Sequence, residues 1–245
     1  IVLLGATSFG VHYSVWTGRL RELKEDFEVK ILMFTIFLTY IVVLVGFSGR
    51  MALFTDVFSF FRVTFYQLIS GHTGVGYSNI YPSQIAQWPE LALFGVIVAM
   101  GIGGCMNSTA GGIKVFRIGI FYKAIKREVR RLAYPESSYI KEFFHHQKEI
   151  FIDDAMIKSA MIITLCYILL YLSGAAIASF FDYGFLPGLF ESVSAAANVG
   201  LSIGITNPSM PVFLKIWYIL EMWAGRLELF AIFILIRFLI KLVKK

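Results

Sequence analysis

The chain has 245 residues, 58% of them hydrophobic and only 16% charged, with a mean hydropathy of +0.73 and a net charge of +6. A soluble domain carries roughly 45–50% apolar and about 25% charged residues, so composition excludes an ordinary soluble domain and points to the membrane class. The basic residues concentrate in Thr17 to Lys30, Lys114 to Lys158 and at Lys241, Lys244 and Lys245, whereas Ser48 to Glu90 holds only Arg50 and Arg62 and Phe181 to Pro211 holds no Lys or Arg. That asymmetry fits a polytopic membrane protein with basic linkers and C-terminus in the cytoplasm, and not a nucleic-acid binder.

In chain order, Ile1 to Trp16 reads as the end of an earlier helix. The opening Ile1-Val2-Leu3-Leu4 lacks a Met, so the sequence is expected to be an internal piece of a longer protein. Val29 to Phe47 is a first segment of the length needed to cross a bilayer core, about 20 residues. Phe58 to Ile69 is apolar but too short, as befits a helix that enters the membrane and returns. Leu91 to Phe121 is a second long segment, interrupted by glycines, and Ser159 to Phe181 a third. Gly184 to Ala197 is another short one, and Pro211 to Ile240 a fourth long one that carries Glu221, Arg226 and Glu228. The two cysteines, Cys105 and Cys166, have no CxxC spacing and suggest neither a disulfide framework nor a metal site.

The pattern repeats. Ser70-Gly-His-Thr-Gly-Val-Gly-Tyr-Ser78 aligns with Ser194-Ala-Ala-Ala-Asn-Val-Gly-Leu-Ser202, sharing Ser, Val, Gly and Ser at the same positions. Phe65-Tyr66-Gln67 precedes the first as Leu189-Phe190-Glu191 precedes the second. Trp88-Pro89 and Met210-Pro211 then open the following helices, and Met100-Gly-Ile-Gly103 answers Met222-Trp-Ala-Gly225. The unit is helix, short pore helix, glycine loop, helix, and it occurs twice.

Non-helical backbone at membrane depth leaves carbonyls without partners unless something else satisfies them. A desolvated cation is such a partner, and rings of backbone carbonyls from four TVGYG-type loops form potassium-channel filters. Thr73-Gly74-Val75-Gly76-Tyr77 is close to that pattern, and Ala197-Asn198-Val199-Gly200-Leu201 is its counterpart. Close helix packing through small residues is the alternative use of such glycines; the recurrence of the loop after each short helix favours the filter. The run Gly103 to Gly112 breaks the second long segment near mid-membrane, where Asn107, Ser108 and Thr109 can serve the freed backbone. It ends on Gly-Ile-Lys rather than GK[ST] and no strand precedes it, so it is not read as a phosphate-binding loop. Arg226 lies about fifteen residues beyond Pro211, roughly 22 Å along a helix at 1.5 Å per residue, so it is expected past the midplane and below the second loop. It faces the pore or pairs with an acid on another helix. His72 is expected on the outer side, and His145 and His146 in a charged linker, none as metal ligands.

These residues resemble the Trk/Ktr/HKT family of potassium transporters. The run Gly103-Gly104-Cys105-Met106-Asn107-Ser108-Thr109-Ala110-Gly111-Gly112-Ile113-Lys114 resembles the family's GGxxxSTAGGIK signature, and Gly225-Arg226-Leu227-Glu228 its GRLE signature. The resemblance covers nearly the whole chain but only the C-terminal half of the family's protein. It departs from the family at Gly74 and Asn198, where many members have Thr or Ser, and at Ala197, which stands opposite Thr73. It implies an all-α membrane protein with a potassium-channel-like, pseudo-fourfold pore, in which Gly76 and Gly200 are the filter glycines of the third and fourth repeats. The expected organisation is 1–28 as the end of the preceding repeat, 29–126 as the third pore repeat, 127–158 as a cytoplasmic linker and 159–245 as the fourth. The implied function is uptake of K+, the only ion or cofactor expected and held only at the filter. Gly103, Gly104, Asn107, Ser108, Thr109, Ala110, Gly111, Gly112 and Arg226 would form the gate. A sodium-permeable or Na/K-symporting member of the same fold is the alternative. No catalytic set is present, so an intramembrane enzyme is not expected. The resemblance further implies a multi-pass protein of the plasma membrane, a missing N-terminal half with two more repeats, a homodimer, and a cytosolic nucleotide-binding ring of the TrkA/KtrA kind as regulator.

Overall fold

The computed structural model describes residues 1–49, 56–133, 142–146 and 148–227, together with 234, 235, 237, 238, 240 and 241. Glu228 of the last signature, Arg50, Lys244, Lys245 and part of the fourth apolar segment lie outside the described residues.

Three short helices lead in: α1 (Val2–Ala6), α2 (Phe9–Trp16) and α3 (Arg21–Glu25). Asp26 then starts α4 (Phe27–Gly46), its carboxylate accepting from the amides of Glu28 at 2.9 Å and Val29 at 3.1 Å. That cap serves two of the amides a helix start leaves unpaired. After α4 come α5 (Val57–His72), α6 (Pro82–Ile85), α7 (Glu90–Ile102) and α8 (Val115–Ala133). Within 127–158 the structure shows the last turns of α8 and an antiparallel hairpin, β1 (Phe143–His146) and β2 (Lys148–Phe151), with Phe144 opposite Ile150 and His145 opposite Glu149. Asp153 caps α9 (Asp154–Phe180), and α10 (Phe185–Ala196) and α11 (Val212–Arg226) follow.

α4 and α9 are long and apolar enough to cross a membrane. Their outer faces carry Met33, Phe34, Phe37, Leu38 and Ile41 on the first and Met161, Ile162, Leu165 and Leu169 on the second, all exposed. So broad an apolar face is what a lipid-facing helix presents, and in water it would drive association. The second long segment is broken as the sequence implied: α7 stops after 13 residues at Gly103, whose φ of +73° ends the helix, and α8 resumes as an amphipathic helix with a basic face.

Glycines set the closest helix approaches. A Cβ on Gly46 of α4 would overlap the Ala92 backbone of α7, and one on Gly95 of α7 would lie 2.8 Å from Val43 of α4. Beside this crossing the Phe47 ring meets the rings of Phe60 at 5.4 Å and Trp88 at 5.1 Å, edge to face. Gly174 and Gly188 do the same for α9 against α10. In lipid, where apolar burial against tails gains nothing, such close packing holds helices together. Gly46→Leu is expected to lower stability by ~1–3 kcal/mol through overpacking, whereas Phe37→Leu on the exposed face of α4 is nearly neutral. Thermal unfolding of the two variants in detergent checks this; equal melting temperatures would show that the crossing does not depend on Gly46.

Candidate functional site: two glycine loops and a broken helix

The two short helices α5 and α10 end in loops with the same internal hydrogen bonds. Ser70 Oγ donates to the Tyr77 carbonyl at 2.5 Å, and Ser194 Oγ to the Leu201 carbonyl at 2.6 Å. The Val75 amide donates to the Ser70 carbonyl and the Val199 amide to the Ser194 carbonyl. The backbone angles match as well. Gly74 (φ +69°) corresponds to Asn198 (φ +55°), and Gly76 (φ +74°) to Gly200 (φ +93°). Glycine takes such angles freely and Asn is among the side chains that tolerate them, which accounts for Asn198 opposite Gly74. Ser78 Oγ donates to Gln67 at 3.2 Å and Ser202 Oγ to Glu191 at 2.6 Å, so the aligned positions of the repeat coincide in space as well as in sequence.

Within each loop the carbonyls divide. Those of Tyr77 and Leu201 are taken by the serines. The carbonyls of Thr73, Gly74, Val75 and Gly76, and of Ala197, Asn198, Val199 and Gly200, accept no hydrogen bond from any described residue. Thr73, Ala197 and Val199 are buried, Gly74, Val75, Gly76 and Asn198 are half-buried, and Gly200 is exposed. The two loops lie side by side: a Cβ on Gly76 would overlap the Val199 carbonyl, while the corresponding side of Gly200 is open.

The broken stretch of the second segment packs under both loops. A Cβ on Gly74 would lie 3.1 Å from Ala110, and one on Gly111 would overlap the Ala197 carbonyl. The stretch is tied at its edges as well. The Cys105 amide donates to the Ala6 carbonyl at 2.9 Å, Thr109 Oγ1 to the Gly5 carbonyl at 2.9 Å, and the Phe9 amide to the Asn107 carbonyl at 3.2 Å. Asn107 (φ +53°) and Lys114 (φ +81°) sit in the left-handed region without being glycine, so the path is held by its surroundings. Gly225 of α11 lies against the Ala196 carbonyl, and Tyr167 Oη donates to the Gly225 carbonyl at 3.0 Å. Gly111 and Gly225 thus touch neighbouring residues at the base of the second loop. Arg226, next in sequence, ends α11 at that level with its side chain exposed.

Some placements were not anticipated. His72 is not on an outer surface: it is fully buried, with Nε2 3.0 Å from Thr35 Oγ1 of α4. Glu191 is 3% exposed and receives four donors, Ser202 Oγ, the Ile203 and Ile205 amides and Thr206 Oγ1, at 2.6 to 3.3 Å. Its alignment with Gln67 was the available signal. Glu221, in the fourth segment, is buried between α9 and α10, where Ser192 Oγ and Trp217 Nε1 both donate to it at 3.0 Å. A cavity of about 490 Å³ lies between the second loop and α11, reached by Asn198, Gly200, Lys215 and Tyr218. Among the described residues no group of His, Cys, Asp and Glu could hold a metal ion.

A family model described as "TrkH: Cation transport protein" matches residues 1–242. The Trk system potassium uptake protein TrkH of Escherichia coli is 30% identical over 242 residues, covering 96% of this chain and 48% of that protein. A protein of Methanocaldococcus jannaschii described as an uncharacterized cation transporter is 27% identical over 231 residues, 94% of this chain and 45% of its own length. The crystal structure of the potassium transporter TrkH from Vibrio parahaemolyticus superposes with a TM-score of 0.78 at 21% identity, covering 96% of this chain and 50% of that one. The chain therefore spans about half the length of the relatives it matches.

The loop geometry separates two otherwise similar substitutions. Gly76→Ser adds a side chain where φ is positive and the Val199 carbonyl already fills the space, whereas Gly200→Ser meets only the unfavourable φ. If the loops line an ion path, both should relax discrimination between potassium and sodium, Gly76→Ser by the larger factor, about ten-fold or more for a strain of ~1–3 kcal/mol. Ion-replacement flux on the full-length protein at matched protein levels decides it. Unchanged ion ratios in both variants would remove the loops from the ion path.

Proposed function

Because the chain belongs to the TrkH family of cation transport proteins, we propose that it supplies two of the four pore repeats of a potassium uptake protein of the plasma membrane. One observation carries this reading: two equivalent loops, side by side, each with four consecutive carbonyls that no described residue satisfies. Carbonyl oxygens replace the hydration shell of a monovalent cation, and a single charge shared among many neutral dipoles binds without being trapped. Thr73 to Tyr77 and Ala197 to Leu201 would be two sides of the filter. Within this chain α10 packs beside α7, Val193 near Gly101, and the second loop would follow the first around a common centre. The corresponding face of α11, with Ile219 and Met222 exposed at the cavity, would offer the same seat to a further repeat from the rest of the protein. Sodium permeation, alone or coupled to potassium, uses the same carbonyls, and the flux experiment above separates it from potassium selectivity.

The stretch from Gly103 to Gly112, with Arg226, would be the gate beneath the filter. The support is position: Ala110 and Gly111 lie against the bases of the two loops, and Gly225 brings Arg226 to the same level. A guanidinium stays charged at any physiological pH, so it repels a cation leaving the filter or anchors the loop by hydrogen bonds. The basic linkers would lie in the cytoplasm, where the amphipathic α8 and the hairpin offer surface to anionic lipid headgroups or to a cytosolic nucleotide-binding regulator. A homodimer is the expected assembly.

Two outcomes test the gate in the full-length protein reconstituted in liposomes. Deleting Asn107 to Gly111 should raise potassium flux by shortening the obstruction; a folded protein with flux abolished would make the stretch scaffold rather than gate. Arg226→Gln should raise flux about ten-fold, the effect of relieving roughly 1.4 kcal/mol of barrier, with the potassium to sodium ratio unchanged. A variant that melts earlier and never exceeds the parent's flux would instead assign Arg226 to a structural ion pair.

A further inference from the structure

The hairpin is packed onto the start of α4, and the start of α4 is bonded to the broken stretch. Phe144, 3% exposed, sits between the rings of Phe27 at 5.2 Å and Phe116 at 5.5 Å, so β1 is locked against both α4 and α8. The next two residues reach acids. His145 Nε2 is 3.0 Å from Glu22 Oε2, and His146 Nδ1 is 2.8 Å from Asp26 Oδ2. Asp26 is fully buried and uses its other oxygen to cap α4 through the Glu28 and Val29 amides. Glu28 is itself 1% exposed, and its carboxylate accepts from the Met106 amide at 3.1 Å. Two buried carboxylates therefore stand at one helix start, the first joined to the hairpin and the second to the middle of the stretch under the loops.

Buried acids side by side need donors or a cation beside them. The Met106 amide serves Glu28, and the imidazole of His146 serves Asp26. Several other charged groups near the hairpin are engaged elsewhere. Glu149 of β2 lies 3.5 Å from His145, Lys123 of α8 is 3.9 Å from Glu142 and over the Phe27 ring, Arg127 pairs with Asp154 at 2.6 Å, Arg130 pairs with Glu142 at 2.5 Å, and Arg117 donates to the Ile113 carbonyl. We propose that Glu28 is a positioning residue for the broken stretch, and that His146, acting through Asp26, supplies the counter-charge that keeps this pair of carboxylates in place, so that undocking the hairpin releases the stretch. The consequence for ion flow rests on the reading of Gly103 to Gly112 as the gate.

The hydrogen bond to Asp26 holds His146 above the usual histidine range, and the one to Glu22 does the same for His145, in each case against the opposing effect of burial. A histidine raised on docking stabilises the docked state fully below its free value of about 6.5, and that contribution fades as pH rises through the raised value. Docking is therefore tight in acid and loosens on the alkaline side, and potassium flux should rise with internal pH.

Hydrogen exchange of the peptides spanning 103–112, read by mass spectrometry, and potassium flux are measured on the same full-length protein in liposomes. Glu28→Ala should speed exchange in those peptides about ten-fold or more, as expected for loss of a buried hydrogen bond, and should raise flux. Glu28→Gln keeps a neutral acceptor and should fall between parent and Ala. His146→Asn keeps a hydrogen-bonding side chain without the charge; near pH 6.5 it should exchange faster than the parent, with the flux–pH profile partly flattened. Unchanged exchange in folded Glu28→Ala, or in Glu28→Gln and His146→Asn if the Ala variant does not fold, overturns the proposal, as does a parental pH profile in His146→Asn. Faster exchange with flux unmoved supports the positioning role and sinks the gate instead.

Discussion

Everything in this fold follows from the requirement that backbone polar groups inside an apolar bundle find partners. α4, α7, α9 and α11 meet it internally as helices. The loops after α5 and α10 meet only half of it. Their amides are turned back onto Ser70 and Ser194, while four carbonyls in each loop go without a described partner. Positive φ at Gly74, Gly76, Asn198 and Gly200 is the local means. A helix cannot leave consecutive carbonyls free, so a short helix ending in a glycine turn is what sets these carbonyls apart.

The same requirement explains the break between α7 and α8. A continuous helix through Gly103 to Gly112 would satisfy its own backbone and present only side chains to the base of the loops. Broken, it exchanges hydrogen bonds with α1 and the start of α2 on one side and with Glu28 on the other, and its glycines come within van der Waals reach of Gly74 and Ala197. Sequence made this legible, since a glycine-rich, Ser- and Thr-bearing interruption inside an apolar run has few other uses. The repeat was legible for a related reason: Ser70 and Ser194, and Ser78 and Ser202, hold the same bonds in both loops, so the residues shared in sequence are those the geometry needs.

What sequence left out lies in contacts between distant segments. His72 read as an outer residue because it precedes the first loop, yet the fold turns it inward onto Thr35. The hairpin at 143–151 has no strong alternation and is fixed by Phe144 docking on Phe27 and Phe116, partners more than 25 residues away. Glu28 looked like one more charge in a basic linker. Its burial depends on Met106, 78 positions along the chain, and no local pattern encodes that.

The two loops also differ in a way that bears on how the assembly could work. The first is backed by Gln67, whose Nε2 finds no partner among the described residues and whose carbonyl takes one weak bond from Ser78. The second is backed by Glu191, a buried acid with four donors. Hydrogen bonds to a charged group contribute about 1.5–3 kcal/mol each, against roughly 1 kcal/mol for neutral ones, so the second loop is the more firmly held. Its base meets both Gly111 and Gly225, while the first loop meets Ala110 and Gly111. If the stretch acts as the proposed gate, it needs one loop as a fixed surface: the second, held by Glu191, would be that surface, and the first, backed by the neutral Gln67, the one better able to yield.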